Sequence, residues 1–130
     1  MRRLIPCVAM AALLGGLGCG GSAPNPVVVT TNDMLDDLKG MLTEYQSDRK
    51  VSPKKLSDLA TYEPVHQAAL HGLSTGTCTY FWGSDLSGGQ AVLAFETKAE
   101  KEGGYVLLQD GTIKKMTAAE FAAAPKAGKK

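Results

Sequence analysis

The chain predicts an α+β domain: one long helix laid on a roughly four-stranded antiparallel sheet, with short helices before the sheet and at the C-terminus. Three observations carry this. Apolar residues recur every three or four positions from Met34 to Tyr45. After Thr77 the pattern changes to alternating runs cut by glycine-containing turns, and Thr117 to Glu120 then has the form of a helix start. A helix and a sheet with one apolar face each must cover one another.

The first helix starts at Thr31-Asn32-Asp33, because short polar side chains accept hydrogen bonds from the free amides of a first turn. Asp33, Asp36 and Asp37 suit the positive end of the helix dipole. Met34, Leu35, Leu38, Met41, Leu42 and Tyr45 make one stripe on a helix that runs to Gln46. Gly40 lies off this stripe and costs about 1 kcal/mol relative to alanine. Ser52 to Leu59 reads as a second helix, capped by Ser52 with Pro53 in its first turn, where the missing amide is no loss. Val65 to Leu70 reads as a third short helix after Pro64.

Thr77 to Trp82 alternates as a strand, with Cys78, Tyr80 and Trp82 on one face and Thr79 and Phe81 on the other. Ser84 to Gly89 is turn-forming. Gln90 to Thr97 is a second strand, on which Ala91, Leu93 and Phe95 share a face. Lys98 to Gly104 is a charged loop. Tyr105 to Gln109 and Thr112 to Met116 are strands joined at Asp110-Gly111, a hairpin pair suited to positive φ. Thr117 and Glu120 form a capping box, and the alanine-rich helix they open stops before Pro125.

Ahead of this domain stand Arg2 and Arg3, an apolar run from Leu4 to Leu17, and then Gly18-Cys19-Gly20-Gly21-Ser22. A basic start, an apolar core of about 7–15 residues and a small-residue exit make a secretory signal peptide. The run is shorter than the roughly 20 residues that cross a bilayer, although a permanent span is the competing reading. The exit resembles a bacterial lipoprotein signal, in which a cysteine after a small residue receives diacylglycerol. That resemblance implies lipid attachment at Cys19; Gly16 stands where the family usually has leucine, and ordinary cleavage without lipid is the other outcome. The chain thus divides into a signal peptide (1–18), a tether (19–30), a single domain (31–124) and a flexible basic tail (125–130). The expected location is the cell envelope, membrane-anchored on the extracytoplasmic side, with a secreted or periplasmic soluble protein as the alternative.

Loss of Arg2 and Arg3 with the signal leaves 12 basic residues against 13 acidic ones, a net charge of −1. No clustered basic face is implied, so nucleic acid is not an expected partner. Cys7 leaves with the signal and Cys19 takes the lipid, so Cys78 alone remains and no disulfide framework forms within one chain.

Catalytic constellations are not apparent. His66 and His71 are five apart and do not share a helical face; with Cys78 they do not have zinc-ligand spacing. Neither glycine-rich loop leads into a helix as a phosphate cradle does. Glu96, Glu100 and Glu102, mixed with Lys98 and Lys101, read as a solvated edge, and Asp110 reads as a turn residue, not a calcium ligand. No cofactor, metal site or catalytic residue is assigned. Trp82 and Phe81 are the candidate interaction residues, because aromatics concentrate at hot spots, although both also suit a sheet core.

Leu38 to Leu59, with Leu42, Tyr45, Pro53, Leu56 and Leu59, resembles the head-domain entry of type II secretion pseudopilins, where a helix ends at a tyrosine before a Pro-x-x-Leu-x-x-Leu segment and a small antiparallel sheet. Gly103 to Thr112 is similar to the ending of pilin-like envelope proteins, which carry a histidine, nine intervening residues and Asp-Gly; Glu100 occupies that histidine position here. The resemblance spans Leu35 to Met116 and implies a pilin-head-like fold and an envelope location. The prepilin cleavage site and its hydrophobic assembly helix are not matched. These readings together predict a non-catalytic envelope module that binds another envelope protein. The alternatives are a small-ligand-binding or secretion-system accessory protein, with a pocket between the first helix and the sheet near His66 or His71, and a purely structural module.

Overall fold

The structure is a computed structural model that describes residues 28–128. The signal peptide, Cys19, the tether up to residue 27 and Lys129 and Lys130 lie outside the described residues.

Thr30, one residue before the expected start, caps helix α1 (Thr31–Arg49). Its hydroxyl accepts from the Asp33 amide at 3.3 Å, and the Asp33 carboxylate accepts from the Thr30 amide at 2.8 Å, closing a reciprocal capping box. Hydrogen bonds from Thr30, its hydroxyl foremost, hold the Asp33 carboxyl below its ordinary value. The whole stripe from Met34 to Tyr45 is buried. Each fully buried leucine in it is worth about 1.5–3 kcal/mol, which fixes the helix on its neighbours. α1 runs three residues past Gln46 and ends at Lys50, whose φ of 58° is the one positive value at a non-glycine position among the described residues.

The second helical segment is displaced. Ser52 and Pro53 are not helical; a 3-10 helix covers Leu56–Tyr62 instead. The Asp58 carboxylate accepts from the amides of Lys54 and Lys55 at 2.9 and 3.2 Å and turns the chain there. Pro53 is buried, its carbonyl drawn to a distant loop. Helix α2 covers Gln67–Thr75, starting two residues later and running five further than expected, to a left-handed Gly76.

The sheet is an antiparallel meander in the order β1 (Cys78–Tyr80), β2 (Val92–Glu96), β3 (Gly104–Leu108), β4 (Ile113–Met116). β1 stops two residues before Trp82, and β2 is two residues shorter at its start and one at its end. A bulge between Val92 and Ala94 breaks the expected alternation of β2. Leu93 and Ala94 therefore join α1, α2 and Leu107 in one core, whereas Val92 and Phe95 join Val106, Leu108, Met116 and Phe121 in a second. Ala91, Leu93 and Phe95 do not share a face, because an extra residue in one strand re-aims those after it.

The second core exists because the far face of the sheet is covered too. The charged segment expected as a loop contains a single helical turn, α3 (Ala99–Glu102), with Ala99 fully buried. Helix α4 (Ala118–Ala123) starts with the expected Thr117–Glu120 capping box and places Phe121 on Phe95, ring centres 4.7 Å apart. The turn between β3 and β4 has three residues, closed by the Gly111 amide on the Leu108 carbonyl and the Leu108 amide on the Thr112 carbonyl. Gly111 alone there has a positive φ, 87°, so the pair makes a three-residue turn and not a two-residue one.

Residues 125–128 are not a free tail. Lys126 forms a parallel bridge to Val92, with the Val92 amide on the Pro125 carbonyl and the Ala127 amide on the Val92 carbonyl, both at 2.8 Å. Ala127 is buried in the first core, and the Lys126 ammonium lies 4.4 Å above the Phe121 ring. The backbone amide and carbonyl of Val92, at the start of β2, are satisfied by this segment.

Candidate interaction surface

Of the two candidate interaction residues, only Trp82 reaches solvent freely: it is 39% exposed. Phe81 is half-buried, touches both cores and stacks tilted on Phe95 at 5.6 Å. Its amide donates to the Leu93 carbonyl, so it continues the sheet edge as a core residue. Trp82 stands edge-on to Tyr80, ring centres 4.9 Å apart. The Tyr80 hydroxyl donates to the Ser84 carbonyl inside the same loop. Burial, helped by the charge of Asp85 and by Tyr45, pushes the Tyr80 hydroxyl far above its ordinary value, so it remains a donor.

The loop that carries Trp82 is pinned at several points. The Gly83 amide donates to the Pro53 carbonyl at 2.8 Å, and the Gly88 amide donates to the Gln109 carbonyl at 3.0 Å. The first of these bonds joins two segments thirty residues apart and ties the Trp82 loop to the segment that carries Val51, which is 58% exposed. Arg49, Lys50, Lys54 and Lys55 surround Val51 in the chain and are all exposed. None of the four has a carboxylate within 4.0 Å among the described residues. Nearby acids are Asp48, which accepts from the Tyr62 hydroxyl at 2.8 Å, Asp58, which holds two amides, and exposed Asp85.

This surface and the N-terminus of α1 occupy opposite poles. β1 begins at Cys78, whose sulfur lies against Gly72 together with that of Met34 in the first turn of α1. From Cys78 the strand runs away from that turn to Tyr80 and Trp82. Arg49 to Val51 follow the last turn of α1, a helix of 19 residues whose length is about 28 Å. The segments that carry Trp82 and Val51 therefore lie at the end of the domain away from Thr30.

Other candidate residues resolve as structure. His66 is buried; its Nδ1 lies 2.7 Å from Asp37, whose other oxygen accepts from the Ala69 amide at 2.9 Å. Its Nε2 is 3.4 Å from Glu44 and makes no hydrogen bond. Gly40 explains the fit, because a Cβ there would stand 3.2 Å from the His66 ring. His71 is exposed on α2 and lines two open grooves, one with Leu56, Ala60 and Leu70, the other with Val29, Met34 and Val65. These grooves flank α2; they do not lie between α1 and the sheet as expected, and the two histidines do not converge. No cluster of three His, Cys, Asp or Glu residues among the described residues is arranged to hold a metal ion.

Glu96 departs from the solvated edge expected for it: it is buried. Its carboxylate accepts from the Tyr105 amide at 2.9 Å and lies 3.3 Å from the Lys98 ammonium. Burial pushes this carboxyl up, but hydrogen bonds from Tyr105, Thr31 and Lys98, with the Lys98 charge, outweigh it and hold the group below its ordinary value. Cys78 is buried against Gly72, and burial, with the Glu96 charge second, pushes its thiol up to about 11. Asp110 serves the turn, accepting from the Thr112 amide and from Gln90, both at 2.8 Å.

Sequence reasoning singled out Trp82 but missed Val51 and the four cations around it. The basic run is visible in the sequence; the bond that ties Pro53 within it to Gly83, next to Trp82, has no local signature. Comparison of the chain with protein-family models, curated proteins and solved structures gives no match.

Proposed function

We propose that this protein is an exported lipoprotein, cut before Cys19 and held on the extracytoplasmic side of a membrane by lipid on that cysteine. Its domain is a non-catalytic interaction module that engages another envelope protein through the surface centred on Trp82 and Val51. The observation that carries the reading is the placement of that surface: exposed, pinned by the Gly83–Pro53 hydrogen bond, and at the pole opposite Thr30, where the tether enters. Exposed tryptophan held on a rigid support loses little conformational entropy on binding, which is why such residues anchor interfaces. The pseudopilin-like order of elements supports an envelope setting. The small-ligand alternative has less support, since His66 is committed to Asp37 and His71 lies on open grooves.

The test is chemical cross-linking of the native protein in envelope fractions, comparing wild type with Trp82→Ala. A defined cross-linked partner, lost in the folded variant, is the expected result. An identical cross-linking pattern in wild type and variant would contradict the reading.

A further inference from the structure

We infer that the outer edge of β4 is a docking strip for an extended acidic segment of a partner protein, which adds to the sheet as a further strand. The strip is separate from the Trp82 surface, since Trp82 follows β1 and β4 forms the opposite margin of the sheet. β4 pairs with β3 alone, in a register that sets Tyr105 opposite Lys115 and Val106 opposite Lys114. The Leu108 amide donates to the Thr112 carbonyl, whereas the Tyr105 amide turns the other way, to the Glu96 carboxylate at 2.9 Å. Bonded pairs recur every second residue in an antiparallel ladder, so Val106–Lys114 and Gly104–Met116 are the bonded ones. The amides and carbonyls of Ile113 and Lys115 therefore point outward, and they have no hydrogen-bond partner among the described residues. Ile113 is half-buried and Lys114 and Lys115 are exposed, so no other part of the described chain covers the strip.

A row of alternating donors and acceptors that repeats about every 6.8 Å is matched by the backbone of another strand. A layer of lipid headgroups offers no such fixed repeat. Charge then selects the strand. Lys114 and Lys115 have no carboxylate within 4.0 Å among the described residues, and neither has Lys39, whose side chain reaches Gly111 in the turn before β4. The acids that flank β4 in the chain are engaged: Asp110 accepts from the Thr112 amide and Gln90, and Glu120 accepts from the Thr117 amide. Lysine on an edge discourages pairing with a like strand, and a second copy of β4 laid antiparallel over its length puts lysine opposite lysine. Carboxylates at those positions turn the same charges into favourable cross-strand pairs. Ile113 shares the face of Lys115, so the fitting antiparallel sequence is two consecutive acids followed by an apolar residue.

The test is amide hydrogen exchange of the isotope-labelled native protein in detergent, read residue by residue by NMR. The probes are a short threonine- and valine-rich peptide with a central Glu-Glu pair, its Lys-Lys counterpart, and phosphatidylglycerol vesicles. The acidic peptide is expected to slow exchange at Ile113 and Lys115 roughly tenfold or more, while Lys114 and Met116, already in the ladder, stay as they were. The lysine peptide and the vesicles leave all four unchanged. Lys114→Glu/Lys115→Glu, folded by circular dichroism, loses the response to the acidic peptide and gains it with the lysine peptide. No slowing, slowing without the alternation, equal slowing by both peptides, or slowing by vesicles would overturn the inference. Protection of Ile113 and Lys115 that needs no peptide and rises with protein concentration would give the strip to a second copy and overturn it as well. Trp82→Ala tests the contact face proposed above and does not touch this strip, so the two readings fail separately.

Discussion

The Gly83 amide and the Pro53 carbonyl, 2.8 Å apart, hold the loop after β1 against the loop after α1. That bond ties the loop of an exposed tryptophan to the segment of an exposed valine, and both lie at the end of the domain away from Thr30. Trp82 itself is peripheral to the core. Trp82→Ala is therefore expected to shift thermal stability little, within about 1 kcal/mol, while removing binding. Paired melting and cross-linking measurements separate the two effects.

Gly104 is the position where the Glu96 carboxylate lies; a Cβ there would overlap the carboxylate oxygen. Gly104→Ala is predicted to destabilise by about 1–3 kcal/mol, the usual cost of overpacking. Combined with Glu96→Ala the two losses should not add, because the second substitution removes the group the first one strikes. A double-mutant cycle in urea reads this coupling.

Glu96 also predicts a pH dependence. Its folded carboxyl lies below its ordinary value of 4.5, so its contribution is complete above that value and is lost as pH falls through the lowered one. Urea midpoints measured on the acid side should fall less steeply for Glu96→Gln than for wild type, from a lower starting stability. Asp33 and Asp110, held low by Thr30 and Thr112, keep part of the slope in both proteins.

Asp37 joins α1 to α2 by accepting from the Ala69 amide and bonding the buried His66 ring. Asp37→Ala leaves both groups without that partner, and a cost of about 1–3 kcal/mol is expected for each buried group left unsatisfied. Denaturant unfolding with circular dichroism detection checks this.

Cys78 should be inert in the folded protein. Its thiol is buried and pushed up to about 11, so little thiolate is present near neutral pH. A chromogenic disulfide reagent should react with it at the rate of unfolding, and rapid stoichiometric reaction of the native protein would contradict this.

The fold was largely legible because its signals are local. The apolar stripe of α1, the Thr117–Glu120 capping box, the Asp110-Gly111 turn and the change to alternation after Thr77 each lie within a few residues. What sequence reasoning missed depends on partners far along the chain. The bulge between Val92 and Ala94 lies next to the returning Lys126 segment, and the buried Glu96 carboxylate is held by the Tyr105 amide. Pro53 resembled a helix start until its carbonyl was committed to Gly83. The candidate surface was half legible for the same reason: Trp82 was singled out although the core reading was favoured for the aromatics, and its tie to the basic segment around Pro53 was not foreseen.

Which pole faces outward depends on where the chain is anchored, so the intact mass of the native protein purified from membranes tests the account most directly. The account predicts a chain that starts at Cys19 and carries the added mass of diacylglycerol and its acyl groups. An unmodified chain, or one that retains Met1 and the leader, would contradict it.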